Sequence, residues 1–200
     1  MYGSNLPFPS REEEIRAWEE LAQKIAANKE KAQNPVIPPP YRGELTVIGS
    51  GIQALDFLQA DVELIEKADA VFYCVADPCT VIWIKQKRPD AYNLYVLYSN
   101  HKVRNITYTE MSEAILHYVR EGKKVVAIFY GHPGIFAFSP HRAILIAKKE
   151  GHQAQMRPGI SALDCLCADL HIDPAHPGMQ THEATDLLVR KRKIDPTLHV

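Results

Sequence analysis

The sequence lacks several features that would place it in common functional classes. No apolar run is long enough to cross a bilayer, and the start has no basic stretch leading into an apolar segment. Cysteine is scarce, with four residues, and neither cysteine nor histidine recurs with the spacing of zinc ligands. The net charge of −1 leaves no excess of positive charge for a nucleic acid or an anionic membrane. We therefore expect a cytoplasmic protein with no metal, no nucleic-acid partner and no membrane association.

Residues 1–40 are predicted to form an N-terminal helix and a proline-rich linker. Ser10 and Glu13 have the spacing of a capping box, which marks a helix start. The apolar residues that follow recur at helical spacing on one face: Ile15, Trp18, Leu21, Ala22 and Ile25. The stretch NPVIPPP, residues 34–40, is typical of a stiff, extended linker. The apolar face is expected to pack on the rest of the domain or on a partner subunit.

Residues 41–193 alternate between strand-like and helix-like patterns. Short apolar runs predict strands at residues 45–48, 70–75, 125–130 and 154–156. Helical patterns run from Leu55 to Ile65, from a cap at Thr109, from Ser139 and Pro140 to Gly151, and from a capping box at Ser161 and Asp164. This alternation predicts an α/β domain with a mainly parallel sheet and flanking helices.

Three turns that contain glycine follow predicted strands. They are Gly49-Ser50-Gly51, Gly131-His132-Pro133-Gly134 and Pro158-Gly159. In a parallel sheet the carboxyl ends of the strands meet at one edge, where ligands bind. Glycine allows the backbone to approach a ligand closely and to adopt angles that other residues avoid. The three turns together therefore predict a ligand-binding crevice.

The first turn by itself also fits a dinucleotide-binding domain. Residues 49–54 read G-x-G-x-x-A after a strand, which is the fingerprint of an NAD-binding Rossmann domain. That interpretation also needs an acidic residue at the end of the second strand, and Asp77 is a loose candidate. It leaves the other two glycine turns unexplained, so it ranks second.

Taken together, the motifs VIGSG, FYGHPGIF and RPGISALD resemble the cofactor-contacting turns of the tetrapyrrole-methylase superfamily. The stretches FYCV-x-DP, SPHRA and IDP-x-x-PG are most similar to its borosin branch, which methylates backbone amides of peptides. The resemblance covers residues 43 to about 192. It implies the N-terminal, Rossmann-like half of the tetrapyrrole-methylase fold, S-adenosylmethionine as cofactor and a homodimer.

The resemblance also implies which residues line the cofactor site. Gly49 and Gly51 would lie in the first turn, and the second turn would run along the methionine and ribose parts of the cofactor. The full set is Gly49, Gly51, Tyr130, Gly131, His132, Pro133, Gly134, Ile135, Phe136, Ser161 and Ala162.

The candidate catalytic residues lie in YVLYSNHKVRNITY, residues 95–108. Tyr95, Tyr98, Arg104 and Tyr108 resemble the catalytic tyrosines and arginine of the borosin branch. An amide nitrogen is a poor nucleophile, and removing its proton moves negative charge onto the carbonyl oxygen, which then needs hydrogen-bond donors. A guanidinium favours the charged form of a nearby phenol, so a tyrosine is expected to act as base or as oxyanion donor. The sequence does not assign these roles between Tyr98 and Tyr108.

The function expected from these residues is N-methylation of a peptide supplied in trans. Two alternatives stay open: a methylase of a tetrapyrrole-like small molecule, and a non-catalytic remnant that binds the cofactor. The first turn has Ile52 where many corrin and porphyrin methylases carry proline, which disfavours a tetrapyrrole substrate. Residues 194–200 are expected to begin a second domain that is absent from the sequence.

Overall fold

The computed structural model describes residues 10–31 and 42–199, and within that range the side chains of residues 27–31 are not described. The predicted linker, residues 34–40, lies outside the described residues. The chain divides into two compact units, Met1–Ile160 and Ser161–Val200.

The first unit contains a five-stranded sheet in which every pair of neighbours is parallel. Its strands are β1 (Glu44–Gly49), β2 (Ala70–Cys74), β3 (Tyr92–Asn93), β4 (Lys124–Phe129) and β5 (Gln153–Met156). Their order across the sheet is β3-β2-β4-β1-β5. The predicted α/β fold with a mainly parallel sheet is confirmed. The two-residue strand β3 was not predicted.

The described residues of this unit form five α-helices: α1 (Arg11–Lys31), α2 (Gln59–Lys67), α3 (Pro78–Lys87), α4 (Arg104–Arg120) and α5 (Phe138–Lys149). A 3-10 helix, Leu94–Leu97, follows β3. Alternate residues of the strands enter two different cores. On one face Val47 and Phe72 pack with residues of α1, α4 and α5. On the other face Ile48 and Tyr73 pack with residues of α2 and α3. The three inner strands β1, β2 and β4 are buried on both faces, as expected inside a parallel sheet, whereas the edge strands β3 and β5 are only partly buried.

Helix α1 is held on the unit by apolar and polar contacts. The predicted capping box forms, since Glu13 N donates to Ser10 Oγ and Ser10 N donates to the Glu13 carboxylate. Leu21 is buried, and Trp18 and Ile25 pack against the same core. The predicted apolar face therefore packs on its own chain in this structure.

A buried polar cluster adds to this attachment. The carboxylate of Glu14 accepts from Tyr73 Oη at 3.1 Å and from Asn93 Nδ2 at 3.2 Å. It also lies 3.4 Å from Lys85 Nζ, which donates to Ala91 O at 2.6 Å. Both charged side chains are largely withdrawn from solvent, so each depends on the other for compensation.

The predicted starts of three helices differ from the structure, each by a few residues. Helix α4 begins at Arg104, and Thr109 lies inside it, where its hydroxyl donates to Asn105 O. Helix α5 begins at Phe138, one residue before the predicted cap Ser139. Helix α2 begins only at Gln59, because Leu55 has a left-handed φ of 64° that interrupts the predicted helix.

The second unit contains two short helices, α6 (Ala162–Leu170) and α7 (Ala184–Val189). The predicted capping box at α6 is confirmed, with Asp164 N donating to Ser161 Oγ at 3.2 Å. Near the end of the chain Gln180 N donates to His199 O, and His199 N donates to Gly178 O. Across the described parts of both units, none of the helices has the length and apolar character of a membrane span.

Candidate functional site

The carboxyl ends of the strands bring the three predicted glycine turns of the first unit together. The first turn follows β1, the second follows β4 and the third follows β5. Gly131 N donates to Gly51 O at 2.9 Å, and an isolated bridge joins these two residues. Because β1 lies between β4 and β5, the three turns lie side by side at the carboxyl edge of the sheet.

Close contact between the turns explains why residue 49 is a glycine. A Cβ there would lie 2.1 Å from Gly131 O, which is closer than any packing allows. Gly159 of the third turn packs against the other two turns, because a Cβ added to it would lie 3.4 Å from both Gly131 O and Gly49 Cα. Gly51 and Gly131 have φ of 72° and 69°, angles that glycine adopts without strain. The glycines therefore build the crevice by packing backbone on backbone.

The same geometry argues against the dinucleotide-binding alternative. In that fold the helix opens at the glycine turn and directs its N-terminus at the pyrophosphate. Here the chain after Gly51 forms a loop, in which Gln53 N donates to Asp56 Oδ2 at 2.9 Å. The predicted ribose ligand Asp77 instead caps α3, accepting from Thr80 N at 2.7 Å. Hydrogen bonds from the Thr80 side chain and, second, from its backbone N–H lower the pKa of Asp77.

The segment after β4 presents two aromatic side chains at the crevice edge. Tyr130 is 50% exposed, and its hydroxyl donates to Ile52 O at 3.2 Å in the first turn. Phe136 is 63% exposed and has a left-handed φ of 52°, which is uncommon for a bulky residue. Between them, Gly134 N donates to His132 Nδ1 at 3.0 Å, so this histidine shapes the loop. Pro133 is buried beside Gly49, whereas Gly134 and Ile135 are half-buried.

Ser161 and Ala162, the remaining predicted cofactor residues, belong to the second unit. Ser161 is the buried N-cap of α6, and Ala162 is the first, exposed residue of that helix. The Ser161 hydroxyl donates to Asp164 Oδ2 at 2.6 Å and accepts from Asp164 N. Both hydrogen bonds of this hydroxyl therefore belong to the capping box.

The four predicted catalytic residues lie together beyond the end of β3. The rings of Tyr95 and Tyr98 are 5.1 Å apart, and those of Tyr98 and Tyr108 are 6.3 Å apart, edge to face. Arg104 lies over the ring of Tyr98, with its Cζ 4.8 Å from the ring centroid. We call Tyr95, Tyr98, Tyr108 and Arg104 the tyrosine cluster. Tyr95 is in the 3-10 helix, whereas Arg104 and Tyr108 are in α4.

The structure corrects the electrostatic expectation for Tyr98. Burial is the largest influence on this phenol and raises its pKa, and the nearby Cys74 and Tyr108 raise it further. Arg104 acts in the opposite direction but is the smallest of these influences, so the net pKa stays above its usual value. Tyr98 is therefore held as a neutral phenol, which is suited to donate a hydrogen bond.

Two residues at this edge were not identified from the sequence. Cys74 ends β2 and makes a side-chain hydrogen bond with Tyr98, while burial raises the pKa of the thiol to about 11. Phe138 begins α5, and its ring lies 6.3 Å from that of Tyr108. The repeated aromatic residues of FYGHPGIFAF were the available signal for Phe138, whereas nothing in the sequence pointed to Cys74. Within residues 10–31 and 42–199, His, Cys, Asp and Glu form no group of three able to hold a metal ion.

Comparison with known proteins assigns the class of this chain. Residues 44–197 match the family model described as Tetrapyrrole (Corrin/Porphyrin) Methylases. The chain therefore belongs to the tetrapyrrole methylase family. The resemblance predicted from the glycine turns is confirmed.

Curated relatives narrow the likeness to the borosin branch. The chain is 50% identical over 163 residues to a methyltransferase/ribosomally synthesized type I borosin cyclic peptide precursor of Coprinopsis marcescibilis, covering 80% of this chain and 41% of the relative. It is 51% identical over 151 residues to the methyltransferase/ribosomally synthesized cyclic peptide lentinulin A precursor of Lentinula edodes, covering 75% and 36%. A type III borosin precursor of Anomoporia bombycina is 41% identical over 193 residues, covering 96% and 22%. The chain thus spans well under half the length of these relatives.

Proposed function

We propose that the chain contributes the catalytic half of an S-adenosylmethionine-dependent methyltransferase that N-methylates backbone amides of a peptide supplied as a separate chain. The observation that carries the proposal is the placement of the tyrosine cluster at the same sheet edge as the three glycine turns. The borosin relatives, whose names combine a methyltransferase with a peptide precursor, support the same substrate class.

The crevice residues fit the proposed cofactor. Gly131 lies against Ile52 of the first turn, because a Cβ on Gly131 would stand only 3.2 Å from Ile52 Cδ1, so a side chain there would push the two turns apart. Tyr130 and Phe136 offer exposed rings beside it, as recognition of a nucleoside and an aliphatic chain requires. When bound, S-adenosylmethionine would supply an electrophilic methyl group and leave as S-adenosylhomocysteine after the amide nitrogen has taken the methyl and lost its proton.

The tyrosine cluster is proposed to activate the peptide amide that accepts the methyl group. Loss of the amide proton places negative charge on the peptide carbonyl oxygen, and a donor aimed at that oxygen stabilises the transition state. Tyr98 is proposed as that donor, because burial keeps its proton on the phenol. Arg104 is proposed as the fixed positive charge, and the proton-accepting role then falls to Tyr108 or Tyr95. The same resemblance supports a homodimer, which light scattering on the purified chain would test.

The first experiment is calorimetric titration of the purified chain with S-adenosylhomocysteine and, separately, with NADH. Binding of S-adenosylhomocysteine alone, weakened by Tyr130→Ala but not by Leu145→Ala, would support the cofactor class. Leu145 is a suitable control because it is exposed on α5 and is not part of the crevice. Binding of NADH instead, or of neither compound, would contradict the proposal.

The second experiment tests the substrate. The chain is incubated with S-adenosylmethionine and separate synthetic peptides, and mass spectrometry locates any added methyl group on backbone nitrogen. Methylated peptide would support both the substrate class and its supply in trans. Methylation of a tetrapyrrole with no peptide product would favour the small-molecule alternative, and cofactor binding without any product would favour a non-catalytic role.

A further inference from the structure

Phe138 is exposed at a position where the fold does not require an aromatic side chain. It is the first residue of α5 and is 51% exposed. It does not serve as a cap, because Ala137 holds the N-cap position and makes no side-chain cap hydrogen bond. Its ring contact within the described residues is to Tyr108, at a centroid distance of 6.3 Å. The exposed ring therefore extends the tyrosine cluster towards solvent.

The backbone that carries Phe138 is firmly anchored. The next residue, Ser139, is buried, and its carbonyl accepts a hydrogen bond from Ser112 Oγ at 3.0 Å. The Ser112 hydroxyl also lies 2.8 Å from Tyr108 O, which ties the start of α5 to the turn of α4 that carries Tyr108. A rigid support of this kind reduces the ordering cost when a ligand packs against the ring.

Phe138 also connects the two halves of the candidate site. It lies two residues after Phe136, at the end of the segment that forms the second glycine turn, and its ring contacts Tyr108 of the tyrosine cluster. A peptide whose amide nitrogen reached the cluster would bring a neighbouring side chain next to this ring. An exposed phenyl face favours apolar groups and offers no hydrogen-bond partner to a neutral polar side chain such as serine.

We propose that Phe138 is a specificity-determining residue that packs against an apolar side chain flanking the methylated amide. This inference rests on the proposed function and adds the chemistry of the substrate residue that the site prefers. It assigns Phe138 to the substrate and not to the cofactor.

The test compares matched peptides and matched variants. Two synthetic peptides that differ only in a leucine or a serine beside the methylated amide are assayed with the unmodified chain, Phe138→Ala, Phe138→Leu and Leu145→Ala. Leu145 is seven residues further along α5, on the same face and about 10 Å away, and is more open to solvent than Phe138.

We expect Phe138→Ala to lower kcat/KM for the leucine peptide by about tenfold, mainly through KM, and to leave the serine peptide nearly unchanged. Phe138→Leu should restore most of the preference, and Leu145→Ala should have no effect. The affinity for S-adenosylhomocysteine should be the same in all four proteins.

Equal losses for the two peptides, or a loss of S-adenosylhomocysteine affinity in Phe138→Ala, would overturn the inference while leaving the proposed function intact. Failure of the unmodified chain to methylate either peptide, or any other peptide tried, would instead reject the proposed function. The two failures are therefore distinguishable.

Discussion

The guanidinium of Arg104 lies over the ring of Tyr98, with Cζ 4.8 Å from the ring centroid. Arg104 is the first residue of α4, where the helix dipole is unfavourable for a positive charge. The stack offsets part of that cost, because an arginine over an aromatic face contributes about 0.5–1 kcal/mol at an exposed site. Arg104 therefore contributes little net stability, and its position is better explained by a role in the site.

Arg104→Ala should separate activity from stability. We expect kcat for peptide methylation to fall by about 100-fold or more if Arg104 has the proposed role, because the positive charge that would stabilise the developing oxyanion is then lost. The free energy of unfolding in urea should change by less than about 1 kcal/mol. Lys102→Gln is the matched control, since Lys102 is a nearby cation whose partner is Glu110. A comparable loss of kcat in this control would contradict a specific role of Arg104, because it would show that any positive charge near the site supports the reaction.

Gly49→Ala should damage the crevice more than the same change at Gly151. An added Cβ at Gly49 would lie 2.1 Å from Gly131 O, so the two turns must separate. At Gly151 the φ of 86° causes strain, but no atom lies within 4 Å of the new Cβ. We expect Gly151→Ala to cost about 1–2 kcal/mol of unfolding free energy and Gly49→Ala to cost more. Only Gly49→Ala should weaken S-adenosylhomocysteine binding, and calorimetry of both variants would check this.

Stability should decrease as the pH falls below neutrality. Burial lowers the pKa of His152, whose Nδ1 accepts from Gly43 N at 3.1 Å. The neutral ring is favoured in the folded state, so its contribution is fully present above the ordinary histidine pKa of about 6.5 and is lost as the pH falls through the lower folded-state pKa. We expect urea unfolding of His152→Asn to depend less on pH between about 7 and 5. If the free energy of unfolding depends on pH equally in His152→Asn and in the unmodified chain, His152 does not cause the loss of stability at lower pH.

Helix α1 should loosen when Glu14 loses its charge. Glu14→Gln keeps one oxygen acceptor, which can serve Tyr73, but sets an NH2 donor against the Asn93 amide and leaves the buried ammonium of Lys85 with carbonyl partners alone. We expect a loss of about 2 kcal/mol in the free energy of unfolding. Glu12→Gln, an exposed change in the same turn, should have almost no effect. Trp18 lies in the contact, so fluorescence should report the change alongside circular dichroism.

The parts of the fold that the sequence predicted are those with regular periodicity. The strands at β1, β2 and β4 are continuous apolar runs, and both faces of each are buried, so pattern and structure agree. The start of α4 was missed because Val103 caps it without a side-chain hydrogen bond, and no cap residue marks the position. Strand β3 has only two residues, too few for any period to be visible.

At the candidate site, the sequence predicted the residues but not their environment. The three glycine turns were identifiable because each follows a strand. The pKa of Tyr98 was not, because it depends on burial and on Cys74, which is distant in the sequence and adjacent in space. The resemblance predicted that Arg104 would favour the charged form of a nearby tyrosine, whereas burial is the largest influence on the pKa of Tyr98 and raises it.

The order of strands in the sheet has a consequence for how the chain is made. Strand β4 lies between β2 and β1, so β1 has no neighbour until residues 124–129 have been synthesised. A nascent chain that ends before them exposes an apolar strand with both edges open, the kind of segment that aggregates. The first glycine turn also depends on Gly131 for its hydrogen bonds. Sheet and crevice should therefore form together, only after β4 has been synthesised, and chaperone binding to ribosome-stalled fragments should fall sharply once β4 has emerged.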